Sequence, residues 1–375
     1  MVELQKLFSA LHDMGLNFFT GVPDSLLNDF CLHLVNNVPD NQHIMAANEG
    51  NAIGIATGYH MATGQIPVVY MQNSGIGNAT NPLLSLTHKD VYSIPLILVI
   101  GWRGDPVVKD HAQHKKQGEL TPVLMQDMDI PYEILDEDDT VTEKFAWAAK
   151  TAKKSCSPVA LIAKKAILTQ KNKKQEYADS ILMNREEAIS TVLDVFGKDA
   201  IYLATTGRAT RELHEQIMLH GYGHEIEFLN VGAMGHLSSI GLGLAVGAPD
   251  KRIVVFDGDA AAVMHMGCFA TNGRYQPNNL IHIVLNNGVN ESVGGQKSSG
   301  QIIDLTTVAR GCGYLTIDKY VESKEDLTNT VKQLTESNRL SFVDVHVRQG
   351  IRKDMPGLNI EHQLAKEALM DYLKK

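Results

Sequence analysis

Two oxygen-bearing side chains stand 28 residues apart in this chain of 375: Asp259 in "FDGDAAAV" and Asn287 in "VLNNGVNE". Each follows an apolar, β-branched run and sits in a tight turn, so each ends a strand. One helix fits between them. Two adjacent parallel strands would then deliver a carboxylate and an amide oxygen to one point. Completed by a backbone carbonyl and phosphate oxygens, that donor set suits Mg2+. Either residue alone reads as an Asx-capped surface turn; the spacing and the strand context together favour the paired reading. A third candidate is Glu49, in "NEGNAIGIATGYHMATG" (48–64). It is a lone acid before a run of small residues, which reads as a helix packed closely on a sheet. A glutamate there is favoured by the helix dipole, but that alone does not explain burying it.

These residues need rigid elements to hold them. The clearest strands are "IPVVYM" (66–71), "PLILVI" (95–100), "PVALIA" (158–163), "AIYLAT" (200–205), "RIVVFD" (252–257), "LIHIVLN" (280–286) and "LSFVDVHV" (340–347). They do not alternate polar with apolar, so both faces are covered, which predicts mostly parallel sheets flanked by helices. The polar stretch 168–180 carries Lys171, Lys173 and Lys174 and is the best linker. The expected organisation is an α/β chain of two domains, 1–168 and 185–375, joined by a linker at 169–184, with no third domain between. Each half has a strand, a small-residue turn and a helix, the arrangement that puts ligands at strand C-termini and helix N-termini.

Composition narrows the function. A net charge of −9 argues against a nucleic-acid or anionic-membrane surface. No apolar run approaches the ~18 residues of a membrane span. The N-terminus places Leu4, Leu7, Phe8, Leu11 and Met14 at helical spacing and has no secretory pattern. Four scattered cysteines with no Cys-x-x-Cys read as small hydrophobes in a reducing cytosol. A cytoplasmic protein is therefore expected.

The motif around Asp259 and Asn287 resembles the metal and diphosphate motif of thiamine-diphosphate enzymes, written Gly-Asp-Gly followed by an Asn-Asn pair. The resemblance implies that Asp259 and Asn287 bind Mg2+ through their side chains and Val289 through its carbonyl. It implies that Gly258, Ala260 and Ala261 approach the diphosphate. Ala260 departs from the usual glycine. Glu49 fits the place of the glutamate that hydrogen-bonds the cofactor's aminopyrimidine ring nitrogen and so promotes deprotonation of the thiazolium carbon. "NVGAMGHLSS" is similar to the segment that supports the bent cofactor, with Met234 as the apolar wedge and the Gly232 carbonyl accepting from the amino group. "ATTGRATREL" follows a strand and opens a helix, so Thr205, Thr206 and Gly207 offer donors to the diphosphate, although a plain N-cap is also compatible with them.

Over most of the chain the resemblance is to the phosphonopyruvate decarboxylase family. It is carried by "FTGVPDSLL" (19–27), the 48–64 and 70–106 stretches, "QHKKQG" (113–118), "TTGRATREL", "VGAMGH" and "LNNGVNESVGGQ" (285–296). It departs at Asn290-Glu291, where that family has a His-acid pair; Glu291 stays a proton-transfer candidate. The implied reaction is non-oxidative decarboxylation of 3-phosphonopyruvate to phosphonoacetaldehyde and CO2, in phosphonate biosynthesis of the 2-aminoethylphosphonate type. The implied assembly is a homo-oligomer with active sites between subunits.

Such a substrate needs cations for its phosphonate. "GWRGDPVVKDHAQHKKQG" (101–118) follows a strand and reads as a basic active-site loop, with Arg103, Lys109, Lys115, Lys116 and His114. Arg103 is the preferred clamp because its fork is bidentate; Arg211, Arg352 and Lys353 come next. Ser25, Gln72 and Asn73, on other strand ends, could line the same pocket. Sulfopyruvate decarboxylation, acetolactate-type carboligation and a non-catalytic cofactor binder are rival readings. A nicotinamide-dependent dehydrogenase is weaker still, because the glycines of "GLGLAVG" follow no clear strand.

Overall fold

The computed structural model describes residues 3–169 and 180–374. They fall into two compact units, Met1–Gln175 with Val293–Gln296, and Glu176–Ser292 with Lys297–Lys375. Most of the expected linker, 170–179, lies outside the described residues. Among the described residues no helix is long and apolar enough to cross a membrane.

Among its described residues the first unit carries six α-helices: α1 (Leu4–Asp13), α2 (Asn28–Asn37), α3 (Glu49–Thr63), α4 (Ile76–Pro82), α5 (Ala112–Asp127) and α6 (Val141–Ser155). They flank a parallel sheet of β1 (Phe19–Gly21), β2 (His43–Met45), β3 (Val68–Gln72), β4 (Ile97–Gly101), β5 (Tyr132–Leu135) and β6 (Val159–Ala163). The order is β2-β1-β3-β4-β6-β5. Successive side chains on a strand face opposite ways, and both faces here are covered. Val68 and Tyr70 join a cluster with Phe19 and Phe30, while Val69 and Met71 pack with Ala52, Ile53 and Ala56 of α3. That double burial is why these strands read as unbroken apolar runs. The chain reverses its direction across the sheet between β1 and β3, so the crevice for a ligand opens at their C-terminal ends.

The second unit repeats the plan. Its helices are α7 (Arg185–Phe196), α8 (Arg208–Leu219), α9 (Leu237–Gly247), α10 (Asp259–Met264), α11 (Gly267–Tyr275), α12 (Leu305–Gly311), α13 (Lys324–Glu336) and α14 (His362–Leu373). The sheet contains β7 (Ala200–Ala204), β8 (Glu227–Leu229), β9 (Arg252–Gly258) and β10 (Leu280–Asn286). Two further strands, Ser341–His346 and then Leu315–Thr316, follow on the β10 side, and β8 closes the other edge beside β7. All pair in parallel. The reversal falls between β7 and β9, beside the turns that follow Ala204 and Gly258. The single helix expected between Asp259 and Asn287 is two: the chain leaves helical geometry at His265 (φ −129°) and restarts at Gly267. α7 starts on a capping box in which Asn184 and Glu187 bond each other's backbone N–H.

Candidate active site

In the second unit Asp259 is the first residue of α10, at the C-terminal end of β9, and is buried. β10 pairs with β9 so that Leu285 lies opposite Gly258; Asn286 and Asn287 therefore continue at the level of Asp259. Burial pushes the Asp259 carboxyl up to about 6. The Ser298 hydroxyl donates to it, and a β-carbon at Gly300 would overlap it. Asn286 holds this cover in place by donating to the Gly300 carbonyl at 2.8 Å and to Asp344 at 3.1 Å. Asn287 is buried, with its amide oxygen accepting from Val289 N at 3.2 Å. A buried carboxylate beside amide and carbonyl oxygens, with no nitrogen or sulfur donor among the three, is a donor set that fits Mg2+.

The turn after β7 adds donors. Thr205 N is held by the Phe256 carbonyl at 2.9 Å, which seats Thr205 beside Gly258. Its Oγ1 is buried without a hydrogen-bond partner among the described residues. Thr206 follows, and Gly207 caps α8 at φ 109°, a conformation that excludes side chains. An unpaired hydroxyl at a helix N-terminus is what a diphosphate oxygen would satisfy. The 230–235 turn closes against the same corner: Gly232 N donates to Asn230 Oδ1 at 3.4 Å, and a β-carbon at Gly235 would press on His265 and the Ala261 carbonyl. Met234 is half-buried between these two glycines, and Ala260 is half-buried after Asp259.

Glu291 departs from its expected role. It is buried and accepts from four donors: Arg185 Nη1, Arg208 Nη1 at 2.7 Å, Gly350 N and Asn287 Nδ2 at 3.0 Å. Both carboxylate oxygens are taken up by donors of this chain, which turns neither toward a substrate. Its position supports it as a brace that fixes Asn287 and the start of α8. Arg185 is buried as well and also grips Glu212 at 2.8 and 2.9 Å. These arginines lie 106 and 83 residues before Glu291, so nothing local in the sequence announces them.

In the first unit Glu49 opens α3 and is 5% exposed. Asn48 caps the helix by accepting from Asn51 N at 2.9 Å. Asn78 Nδ2 donates to Glu49 Oε2 at 2.7 Å. A β-carbon at Gly75 would overlap the carboxylate, so the turn after β3 admits Glu49 only because that residue is glycine.

The switch point of this sheet gathers most of the expected substrate residues. Gln72 ends β3 and donates to Asp24 at 2.5 Å. Asp24, missed from sequence although it sits in "GVPDS", is fully buried; a β-carbon at Gly101 would strike it. Burial raises its pKa above the usual carboxylate range, with Gln72 and Arg103 acting in the opposite sense. Arg103 follows β4. Its Nε and Nη2 grip Asp110 at 2.8 and 2.6 Å, and its Nη1 reaches Ser25 Oγ at 3.2 Å. The Asp110 carboxyl is held well below the usual range by that guanidinium. Asp110 also accepts from Gly104 N at 2.9 Å and His111 N at 2.8 Å, so it closes the loop and points the free edge of the guanidinium at Ser25.

Three expectations change here. Asn73 is buried and spent: its amide donates to Arg103 O at 2.8 Å and Thr121 Oγ1 at 2.9 Å and accepts from Arg103 N at 3.1 Å. It positions Arg103 instead of facing a substrate. The 101–118 segment is not one basic loop, because α5 begins at Ala112. Lys115 and Lys116 are exposed on that helix, and Lys109 is exposed on the remaining loop. His114 is half-buried on α5, and burial lowers its basicity. Finally, Arg352 is occupied by Glu186, Glu215 and Asp354 in the second unit, which removes it as a reserve clamp.

Residues 4–125 match the thiamine pyrophosphate enzyme N-terminal TPP binding domain, and residues 205–345 match the C-terminal TPP binding domain. The chain is 30% identical over 366 residues to a phosphonopyruvate decarboxylase of Streptomyces viridochromogenes, covering 93% of this chain and 89% of that protein. A phosphonopyruvate decarboxylase of Streptomyces hygroscopicus is 29% identical over 369 residues, with 93% and 88% covered. A sulfopyruvate decarboxylase of Methanosarcina acetivorans is 26% identical over 369 residues, with 92% and 91% covered. Two helix-flanked parallel sheets matching both domains define a thiamine-diphosphate enzyme. Within that class the chain belongs to the phosphonopyruvate decarboxylase family.

Proposed function

We propose that this enzyme decarboxylates 3-phosphonopyruvate to phosphonoacetaldehyde and CO2, using thiamine diphosphate held with Mg2+. The observation that carries the reading is the Arg103–Ser25–Gln72–Asp24 cluster at the switch point of the first sheet, in a chain similar along its length to phosphonopyruvate decarboxylases. Bound thiamine diphosphate supplies the electron sink that a 2-keto acid needs in order to lose CO2. Asp259, Asn287 and the Val289 carbonyl hold the cation. Gly258, Ala260, Ala261 and the Thr205–Gly207 turn receive the diphosphate. Gly232 and Met234 support the rings, and Glu49 handles the proton at the pyrimidine. Residues 1–168 form the pyrimidine-binding half and 185–375 the diphosphate-binding half. The four scattered cysteines support a cytoplasmic enzyme, and the family resemblance supports a homo-oligomer whose subunits share active sites.

Arg103 supplies substrate discrimination. A dianion brought into a closed site must be paired, and Asp110 leaves the Nη1 side of the guanidinium open toward Ser25. Arg103→Ala is expected to cost roughly 2–4 kcal/mol in kcat/KM toward phosphonopyruvate, the size of a lost charge-assisted partner. Turnover of pyruvate, which offers no second anion, should change far less. An equal loss on both substrates would assign Arg103 to the fold. Lys115→Ala and Lys116→Ala should have small effects, since exposed lysines are screened.

A sulfopyruvate reading draws support from the Methanosarcina relative. A coupled aldehyde assay with phosphonopyruvate, sulfopyruvate and pyruvate in parallel decides between them. A kcat/KM highest for phosphonopyruvate is the expected result; a higher value for sulfopyruvate would overturn the substrate assignment and leave the decarboxylase chemistry intact.

A further inference from the structure

Away from the turns that follow β7 and β9, the second unit holds a cluster the decarboxylation does not use. His214 lies on α8, while His224 and Glu227 lead into β8. The Nδ1 atoms of both histidines converge on one oxygen, Glu227 Oε1, at 2.6 and 2.7 Å. The two imidazoles stack with centroids 4.1 Å apart and planes 23° apart. One ligand atom from each of the three side chains lies within 4.8 Å of the others. Glu227 is only 6% exposed, and its second oxygen, Oε2, is buried with no hydrogen-bond partner among the described residues.

A buried carboxylate oxygen without a donor is costly, and no lysine or arginine is paired with Glu227 among the described residues. Two imidazole nitrogens crowding the other oxygen is the donor convergence a cation uses. We propose that His214, His224 and Glu227 form a binding site for a divalent ion of the Zn2+ class, separate from the oxygen-donor set at Asp259. Two neutral imidazoles and a carboxylate are a common zinc ligand set; Mg2+ prefers oxygen ligands and binds such a set poorly. The ion takes the place of the two Nδ1–H donors, each imidazole keeping its one proton on Nε2, and the Glu227 carboxylate is the third ligand. Bonds of ~2.0–2.1 Å in a tetrahedron separate ligand atoms by roughly 3.3 Å, so the side chains must open by about 0.6–0.7 Å from their present 2.6 and 2.7 Å. His224, 42% exposed, can move by that much and leaves the remaining position to water. Bound there, the ion ties α8 to the edge strand β8.

The test uses the full chain loaded with thiamine diphosphate and excess Mg2+. Zn2+ is added in equilibrium dialysis, and Co2+ is followed by its visible ligand-field absorption. The expected result is one Zn2+ per chain, a tetrahedral-type Co2+ spectrum and a Zn2+-dependent rise in melting temperature. His224→Ala should weaken Zn2+ binding at least tenfold and remove the spectrum. His214→Ala, checked for native circular dichroism, should do the same. Zn2+ binding unchanged in a folded variant of either residue, or no Zn2+ bound by the wild type, overturns the site.

Discussion

Asp259→Ala removes thiamine diphosphate retention at any practical concentration. Asp259 is the only charged member of its proposed cation site, and the cation in turn carries the diphosphate. Even outer partners of a metal typically change its affinity 10–100-fold, so losing the charged ligand itself should exceed about 100-fold. EDTA should release cofactor from the wild type, and Mg2+ should restore it. Equilibrium dialysis of thiamine diphosphate at fixed Mg2+ measures both. Normal affinity in Asp259→Ala would remove the cation from this site.

The metal-free protein gives an independent reading of the same residue. Burial pushes the Asp259 carboxyl from its ordinary 3.8 up to about 6. Between those values the folded chain keeps a proton that the unfolded chain has released. Stability from this group is therefore full below about 3.8 and is lost as pH rises through about 6. In EDTA, Asp259→Ala should flatten that fall, so its melting temperature relative to wild type should improve as pH rises from about 4 to 6. A variant that is damaged equally at both ends of the window would mark Asp259 as a structural residue first.

The strands that carry this site were legible because of how they are buried. β3, β4, β6, β7, β9 and β10 are covered on both faces, which removes polar residues from the pattern and leaves runs such as "IVVFD". The edge strands were not legible. β2 is "HIM" and β8 is "EFL", three residues each, with one side unpaired and no apolar run to detect. β1 is equally short, Phe19–Gly21, too brief to stand out as an apolar run. α5 was hidden because His111 provides no side-chain cap and Pro122 sits inside the helix.

Site residues followed the same division. Glu49, Asp259 and Asn287 lie at element ends, where a strand-turn-helix pattern exposes them. What pairs with them does not follow from spacing. The Arg103–Asp110 pair spans a turn whose geometry the sequence does not display, and without it the segment looked cationic. Asp24 reads as an ordinary turn residue in "GVPDS"; only the close approach of Gly101 and Gln72 marks it as buried. Glu291 looked like an acid because its two arginines come from α7 and the start of α8.

Glu49→Gln separates binding from chemistry. The substitution keeps the shape and an oxygen that can still accept from Asn78 Nδ2, now 2.7 Å from Glu49 Oε2. The helix cap at Asn48 is untouched, and the Gly75 contact persists. Folding and cofactor affinity should therefore stay within a few-fold of wild type. What is lost is a group that can hold a proton at the pyrimidine nitrogen. Hydrogen–deuterium exchange at the thiazolium carbon of bound cofactor should slow by roughly 10²–10⁴, the contribution of a positioned acid–base group, and decarboxylation should slow in parallel. If Glu49 served only to open α3, the variant would instead melt earlier while the cofactor it retained exchanged at the normal rate. Exchange that stays fast with intact folding would sink the assignment. The same variant tests the proposed sharing of sites. Mixed with Asp259→Ala chains and allowed to reassemble, it should regain activity only if one site draws on two subunits. Random pairing makes half the dimers mixed, each with one intact site, so recovery should approach about a quarter of wild type. No recovery from a reassembled mixture would place Glu49 and Asp259 in the same site of a single chain.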